Sequence, residues 1–84
     1  MTSRHLRTLA AVFEVPVRAN ILWYDIEAML RYLGAEIEER AGSRVSVTLR
    51  GKPVVFHRPH PRKEATRLTV RDVRDYLEVV GVTP

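Results

Sequence analysis

The stretch that decides the fold is Arg44–His57, "RVSVTLRGKPVVFH". Val45, Val47 and Leu49 alternate with Arg44, Ser46, Thr48 and Arg50, the period-two pattern of a half-buried strand. A Gly-containing turn follows and "PVVFH" returns, which reads as an antiparallel hairpin. With Gly51-Lys52 taken as a two-residue turn, Arg50 faces Pro53, Val47 faces Phe56 and Ser46 faces His57. Opposed residues share a face of the sheet. Phe56 and Val54 then join the core, and His57 stands on the polar face with Arg44 as its diagonal neighbour.

Working outward, "AEIEER" (35–40) also alternates, and "AGS" (41–43) turns the chain into the hairpin, so three strands form a meander. Upstream, Leu22, Ile26, Met29, Leu30 and Leu33 recur on one helical face, with Asn20 as the N-cap and Gly34 as the stop. Downstream, loops dominate residues 58–68, where Pro59 and Pro61 forbid regular pairing. A last helix follows, with Thr69 as N-cap, Asp72 three residues on, and Val70, Val73, Leu77 and Val80 as its stripe. Residues 4–14 place Leu6, Leu9, Ala10 and Phe13 at helical spacing, ended by Pro16. The expected fold is an α+β sandwich. A three-stranded antiparallel meander has its helices on one face, and residues 1–18 form a short helical extension to a domain over 19–84.

The 84 residues allow one core. No apolar run approaches the ~20 residues of a membrane span. The basic N-terminus carries no signal-peptide cleavage pattern, so the expectation is a cytoplasmic chain that does not engage a membrane. No cysteine is present, which excludes disulfides and thiolate metal sites. The formal charge is +4, unevenly spread. Residues 43–74 hold nine basic and two acidic side chains, while the remainder holds five and eight. That asymmetry points to an anionic partner, nucleic acid first.

The positive segment contains "RPHPRK" (58–63). His57 and His60 there sit amid Arg58, Arg62 and Lys63. A neutral imidazole accepts a proton, and guanidinium groups hold phosphate and stabilise charge developing on it. These parts suit RNA cleavage without a cofactor: one group takes the 2′-hydroxyl proton and another protonates the leaving oxygen. The competing reading is a basic surface that only binds. Zinc fits poorly, because prolines break His57-x-x-His60 and a third ligand would have to come from His5 or a carboxylate; no metal ligands are assigned. Trp23 and Tyr24 are the aromatics available to stack a base, although Trp23 reads as a core-edge residue. The last helix mixes Arg71 and Arg74 with Asp72, Asp75 and Glu78, which argues against a DNA-reading helix.

Three stretches between Asp25 and Val82 resemble the HicA family of toxin–antitoxin toxins, in order and with similar spacing. They are "DIEAMLRYLGAEIEERAGSR", "RPHPRKEA" and "LTVRDVRDYLEVVGV". The resemblance implies a double-stranded-RNA-binding-domain-like α-β-β-β-α fold. It implies ribosome-independent mRNA interferase activity on single-stranded mRNA, and a HicB-type antitoxin that covers the active face and carries the DNA-binding part. The family usually places its catalytic histidine directly after the Gly-Ser turn, where this chain has Gly42-Ser43-Arg44. Arginine is no general base at neutral pH. The expected catalytic set is therefore His57, His60 and Arg44, with Arg44 holding phosphate. The expected RNA-binding set adds Ser43, Ser46, Arg50, Arg58, Arg62, Lys63, Arg67 and Arg71. The alternative is an inactive RNA-binding or antitoxin-binding module on the same fold.

Overall fold

The structure is a computed structural model that describes residues 3–84; Met1 and Thr2 of the N-terminal extension lie outside them. The elements run α1 (Ser3–Val12), β1 (Ile21–Leu22), α2 (Trp23–Tyr32), β2 (Glu36–Glu39), β3 (Arg44–Leu49), β4 (Lys52–His57), β5 (Glu64–Ala65) and α3 (Arg67–Val79). Strands β2, β3 and β4 form the expected antiparallel meander in that order. One face carries Val45, Val47, Leu49 and Phe56 into a core shared with Ile26, Met29 and Leu30 of α2 and Val70, Val73 and Leu77 of α3. Gly34, at φ +103, ends α2 as the sequence indicates.

The hairpin register differs from the sequence expectation by two residues. The pairs are Leu49↔Lys52, Thr48↔Pro53, Val47↔Val54, Val45↔Phe56 and Arg44↔His57. The turn is therefore Arg50-Gly51, both left-handed (φ 54 and 78), the pattern of a type I′ turn. Proline explains the shift. In the expected register Pro53 would close the turn, a position whose backbone N–H must donate, and proline has none. Opposite Thr48 it occupies a non-hydrogen-bonded site on an edge strand, where no donor is needed. A two-residue shift preserves the faces, so Phe56 remains inside and His57 outside. It makes Arg44 the direct partner of His57, not the diagonal one, and sets Ser46 opposite Val55.

Arg50 tolerates its left-handed backbone because its side chain is anchored. Its guanidinium donates to the carbonyl of Val80 at 2.8 Å, capping the C-terminus of α3. Tyr76 fastens the same corner. Its hydroxyl accepts from Leu49 N–H at 2.9 Å and donates to the Lys52 carbonyl at 2.7 Å, bridging the closing pair of the hairpin. Burial raises the Tyr76 pKa against the opposing effect of the Leu49 hydrogen bond, so the hydroxyl remains a donor at neutral pH.

Four further expectations are corrected. The N-cap of α3 is Thr66, not Thr69, and its side chain accepts from Thr69 N–H at 3.2 Å, so Asp72 closes no capping box. The residue preceding α2 is Leu22, and Asn20 instead takes a left-handed bend at φ 68. Residues 58–68 are not all loop: Glu64–Ala65 pairs with Ile21–Leu22 in a two-stranded ladder. Finally, α1 buries Leu9, Ala11 and Val12, leaving Leu6 half-exposed. The face that packs is rotated from the one read by spacing, and α1 lies against α2 as part of the same core.

Replacing Tyr76 with phenylalanine leaves the buried Leu49 N–H without its acceptor. The expected cost is about 1–3 kcal/mol, seen as a lower urea midpoint with an unchanged m-value. An unchanged midpoint would show that the bridge adds nothing.

Candidate functional site

The end of the hairpin away from its turn brings Arg44 and His57 together. The Arg58 N–H donates to the Ser43 carbonyl at 2.8 Å, so the flanking pair is hydrogen-bonded and Arg44↔His57 is a non-hydrogen-bonded pair. Side chains are closest at such pairs, with Cα atoms roughly 4.5 Å apart. Both residues are exposed on the open sheet face. Arg44 Nε donates to the Ala41 carbonyl at 2.9 Å, which folds the side chain over the β2–β3 turn. Two left-handed residues, Gly42 and Ser43, build that turn.

The open face is less uniformly positive than the hairpin alone indicates. Its neighbouring strand β2 places Glu36 opposite Thr48 and Glu38 opposite Ser46. Glu38 lies 3.6 Å from Arg40. Ser46 is nearly buried between Glu38 and Val55, and Ser43 is exposed in the turn. His60, Arg62 and Lys63 are exposed on the loop after β4; Arg67 and Arg71 are exposed on the first turns of α3. Arg50 is placed at the opposite end of the hairpin, six residues or roughly 20 Å of strand from Arg44, and is occupied by α3.

Arg58 points the other way from His57. Its Nε donates to Glu27 Oε2 at 2.7 Å and its Nη2 to Oε1 at 3.2 Å, a forked pair with α2. Its Nη1 lies 3.1 Å from Glu39 of β2. Glu27 is the site residue that the sequence reading misses. Its side chain is 8% exposed, and it also accepts from Trp23 Nε1 and lies 3.5 Å from Arg31. A signal for it exists: Trp23, Ile26, Glu27 and Leu30 share one buried helical face, and an acid on such a stripe requires a cation. Burial raises the Glu27 carboxyl, but the Arg58 and Trp23 hydrogen bonds and the Arg58 and Arg31 charges outweigh it and hold its pKa below the ordinary value. The Glu27 hydrogen bond raises the Arg58 pKa above its usual range, with help from Glu39.

Beside this cluster opens a cleft of about 740 Å³. The start of α2 (Trp23, Tyr24) forms one wall, and Pro59, Pro61, Arg62 and Lys63 form the other. Arg44, His57 and His60 do not line it. The sheet therefore separates two basic regions, joined by the 58–63 loop. Among the described residues no three His, Asp or Glu side chains cluster as a metal site, and no helix is long and apolar enough to cross a membrane.

A three-stranded meander with helices on one face and a basic loop at its end defines a double-stranded-RNA-binding-domain-like α-β-β-β-α domain. Residues 23–82 match the family described as HicA toxin of bacterial toxin-antitoxin, and the chain belongs to that family. Its members are toxins, generally mRNA interferases, paired with HicB antitoxins. No curated protein and no solved structure matches the chain. Helix α1 lies N-terminal to the matched region.

Arg58→Ala would leave the buried Glu27 with only the Trp23 hydrogen bond and the more distant Arg31 among the described residues, at an expected cost of roughly 3 kcal/mol at pH 7. Glu27 has a depressed folded pKa, so its contribution is present above the unfolded value of about 4.3 and is lost as pH falls through the folded one. The gap between wild type and Arg58→Ala in urea midpoint should therefore narrow below about pH 4. A gap independent of pH would refute this assignment.

Proposed function

We propose that the chain is a ribosome-independent mRNA interferase that cleaves single-stranded RNA by metal-independent acid–base chemistry at the Arg44–His57 end of the sheet. The observation that carries the reading is the direct pairing of His57 with Arg44. Arg44 occupies the position where the family usually has its catalytic histidine, and the imidazole opposite projects from the same face. In this mechanism one imidazole, His57, accepts the 2′-hydroxyl proton as that oxygen attacks the phosphorus. The 5′-oxygen leaves with a proton supplied by His60, and a 2′,3′-cyclic phosphate remains. Arg44 neutralises charge on the non-bridging oxygens. Ser43, Arg62, Lys63, Arg67 and Arg71 supply contacts along the strand, while Ser46, buried between Glu38 and Val55, does not. Arg50 and Arg58, both held by protein groups, act by fixing the scaffold.

On this reading the functional unit spans residues 19–84, with 1–18 as an N-terminal extension, and the protein acts in the cytoplasm. A HicB-type antitoxin neutralises it by covering the open sheet face. This chain makes no direct DNA contact. A second reading is favoured by Glu36 and Glu38, which share the open face and repel phosphate: a binding module on the same fold that does not cleave.

Purified protein incubated with a long single-stranded RNA should cut it, and His57→Ala should lower the rate by at least about 100-fold. Circular dichroism should show the fold retained. Arg44→Ala should also slow cleavage. Wild-type cleavage that survives His57→Ala, His60→Ala and Arg44→Ala alike would reject the assignment. RNA bound in a salt-sensitive way but left intact would support the binding module.

A further inference from the structure

The cleft on the helix side of the sheet has no part in the chemistry above, and its walls fit a nucleotide. Tyr24 is 72% exposed on the first turn of α2. Its ring is a free apolar plane at the cleft wall, whereas Trp23 beside it is 5% exposed and packed edge-on against Phe56. Across the cleft, Arg62 and Lys63 are exposed and pair with no carboxylate among the described residues. The cleft also contains two acids, Glu27 and Glu39, both paired with Arg58, against the four cations Arg31, Arg58, Arg62 and Lys63. Its charge is therefore net positive, carried by the loop wall.

The arrangement is held in place by backbone. Trp23 N–H donates to the Lys63 carbonyl at 2.9 Å, and the next residues pair as Leu22↔Glu64 and Ile21↔Ala65. Lys63 is thus pinned to the start of α2, one residue from Tyr24. A planar aromatic and two unpaired cations on a fixed frame are the elements with which proteins hold single strands: bases stack on the ring and phosphates follow the cations.

We infer that this cleft seats one nucleotide of a single-stranded RNA, with its base stacked on Tyr24 and its phosphate held by Arg62 and Lys63. The inference rests on RNA being the ligand of the protein and is independent of whether the RNA is cut. The strand runs from this cleft along the 58–63 loop to Arg44 and His57, so the nucleotide bound here lies outside the scissile step and contributes to sequence preference.

The test uses a fully 2′-O-methylated oligoribonucleotide, which lacks the attacking hydroxyl and isolates binding from cleavage. Its affinity for the full chain is read by fluorescence anisotropy across a salt series. Tyr24→Ala should weaken binding about fivefold or more, and Tyr24→Phe should stay within about twofold of wild type. Arg62→Gln and Lys63→Gln should each reduce the salt slope by about 0.7. Unchanged affinity in Tyr24→Ala overturns the inference, as does equal loss in Tyr24→Ala and Tyr24→Phe. So does a Tyr24→Ala protein that binds RNA normally but has lost antitoxin binding, which would assign the cleft to a protein segment. The two readings fail separately. Tyr24-dependent binding of a chain that leaves ordinary RNA intact refutes the interferase and keeps the cleft. Cleavage and binding that both ignore Tyr24 do the reverse.

Discussion

The forked ion pair between Arg58 and Glu27 is the constraint on which the candidate site of this protein depends. It joins the residue after β4 to the buried face of α2, and its third nitrogen reaches Glu39 on β2. Three elements thus converge on one guanidinium. The next residues, Pro59 to Lys63, leave from that point, so the pair sets where the basic loop begins. It also sorts the neighbouring side chains. Because strand residues alternate, fixing Arg58 toward the helices fixes His57 toward the open face. A buried ion pair is weak evidence for net stability, but one left half-made is costly, and this cost favours a single arrangement of the loop.

The meander, its core face and the two principal helices were legible because each has a strong period. Val45, Val47 and Leu49 against Val54 and Phe56 leave one burial solution, and a two-residue slip does not alter it. The register itself differs from the sequence reading by two residues, although the sequence holds the reason: Pro53 cannot donate the turn-closing hydrogen bond. The ladder between Ile21–Leu22 and Glu64–Ala65 was not readable. Two-residue strands have no period, and their pairing is long-range. The cap of α3 is not decided by sequence, because Thr66 and Thr69 are equally good caps in isolation.

The site was readable in part for a related reason. His57 and Arg44 lie on strands, where register and alternation place side chains. Charge and alternation mark Arg50 and Arg58 as candidate RNA contacts but do not reveal that each guanidinium is already held, by Val80 or by Glu27. Tyr24 and Lys63 are distant in sequence and meet only through the short ladder, so no local pattern announces their cleft. The molecule that results has two basic regions on opposite sides of one sheet. One holds the histidine–arginine pair proposed for chemistry, and the other holds an exposed aromatic with free cations.

The most direct test of this account concerns the nucleophile. A single-stranded RNA cut by the purified protein would be compared with the same strand carrying one 2′-deoxy substitution at the cleaved nucleotide. The account predicts a cut that leaves a 2′,3′-cyclic phosphate and disappears at the substituted position. A cut that persists without that hydroxyl would mean water is the attacking group, and would contradict the role assigned to the Arg44–His57 pair.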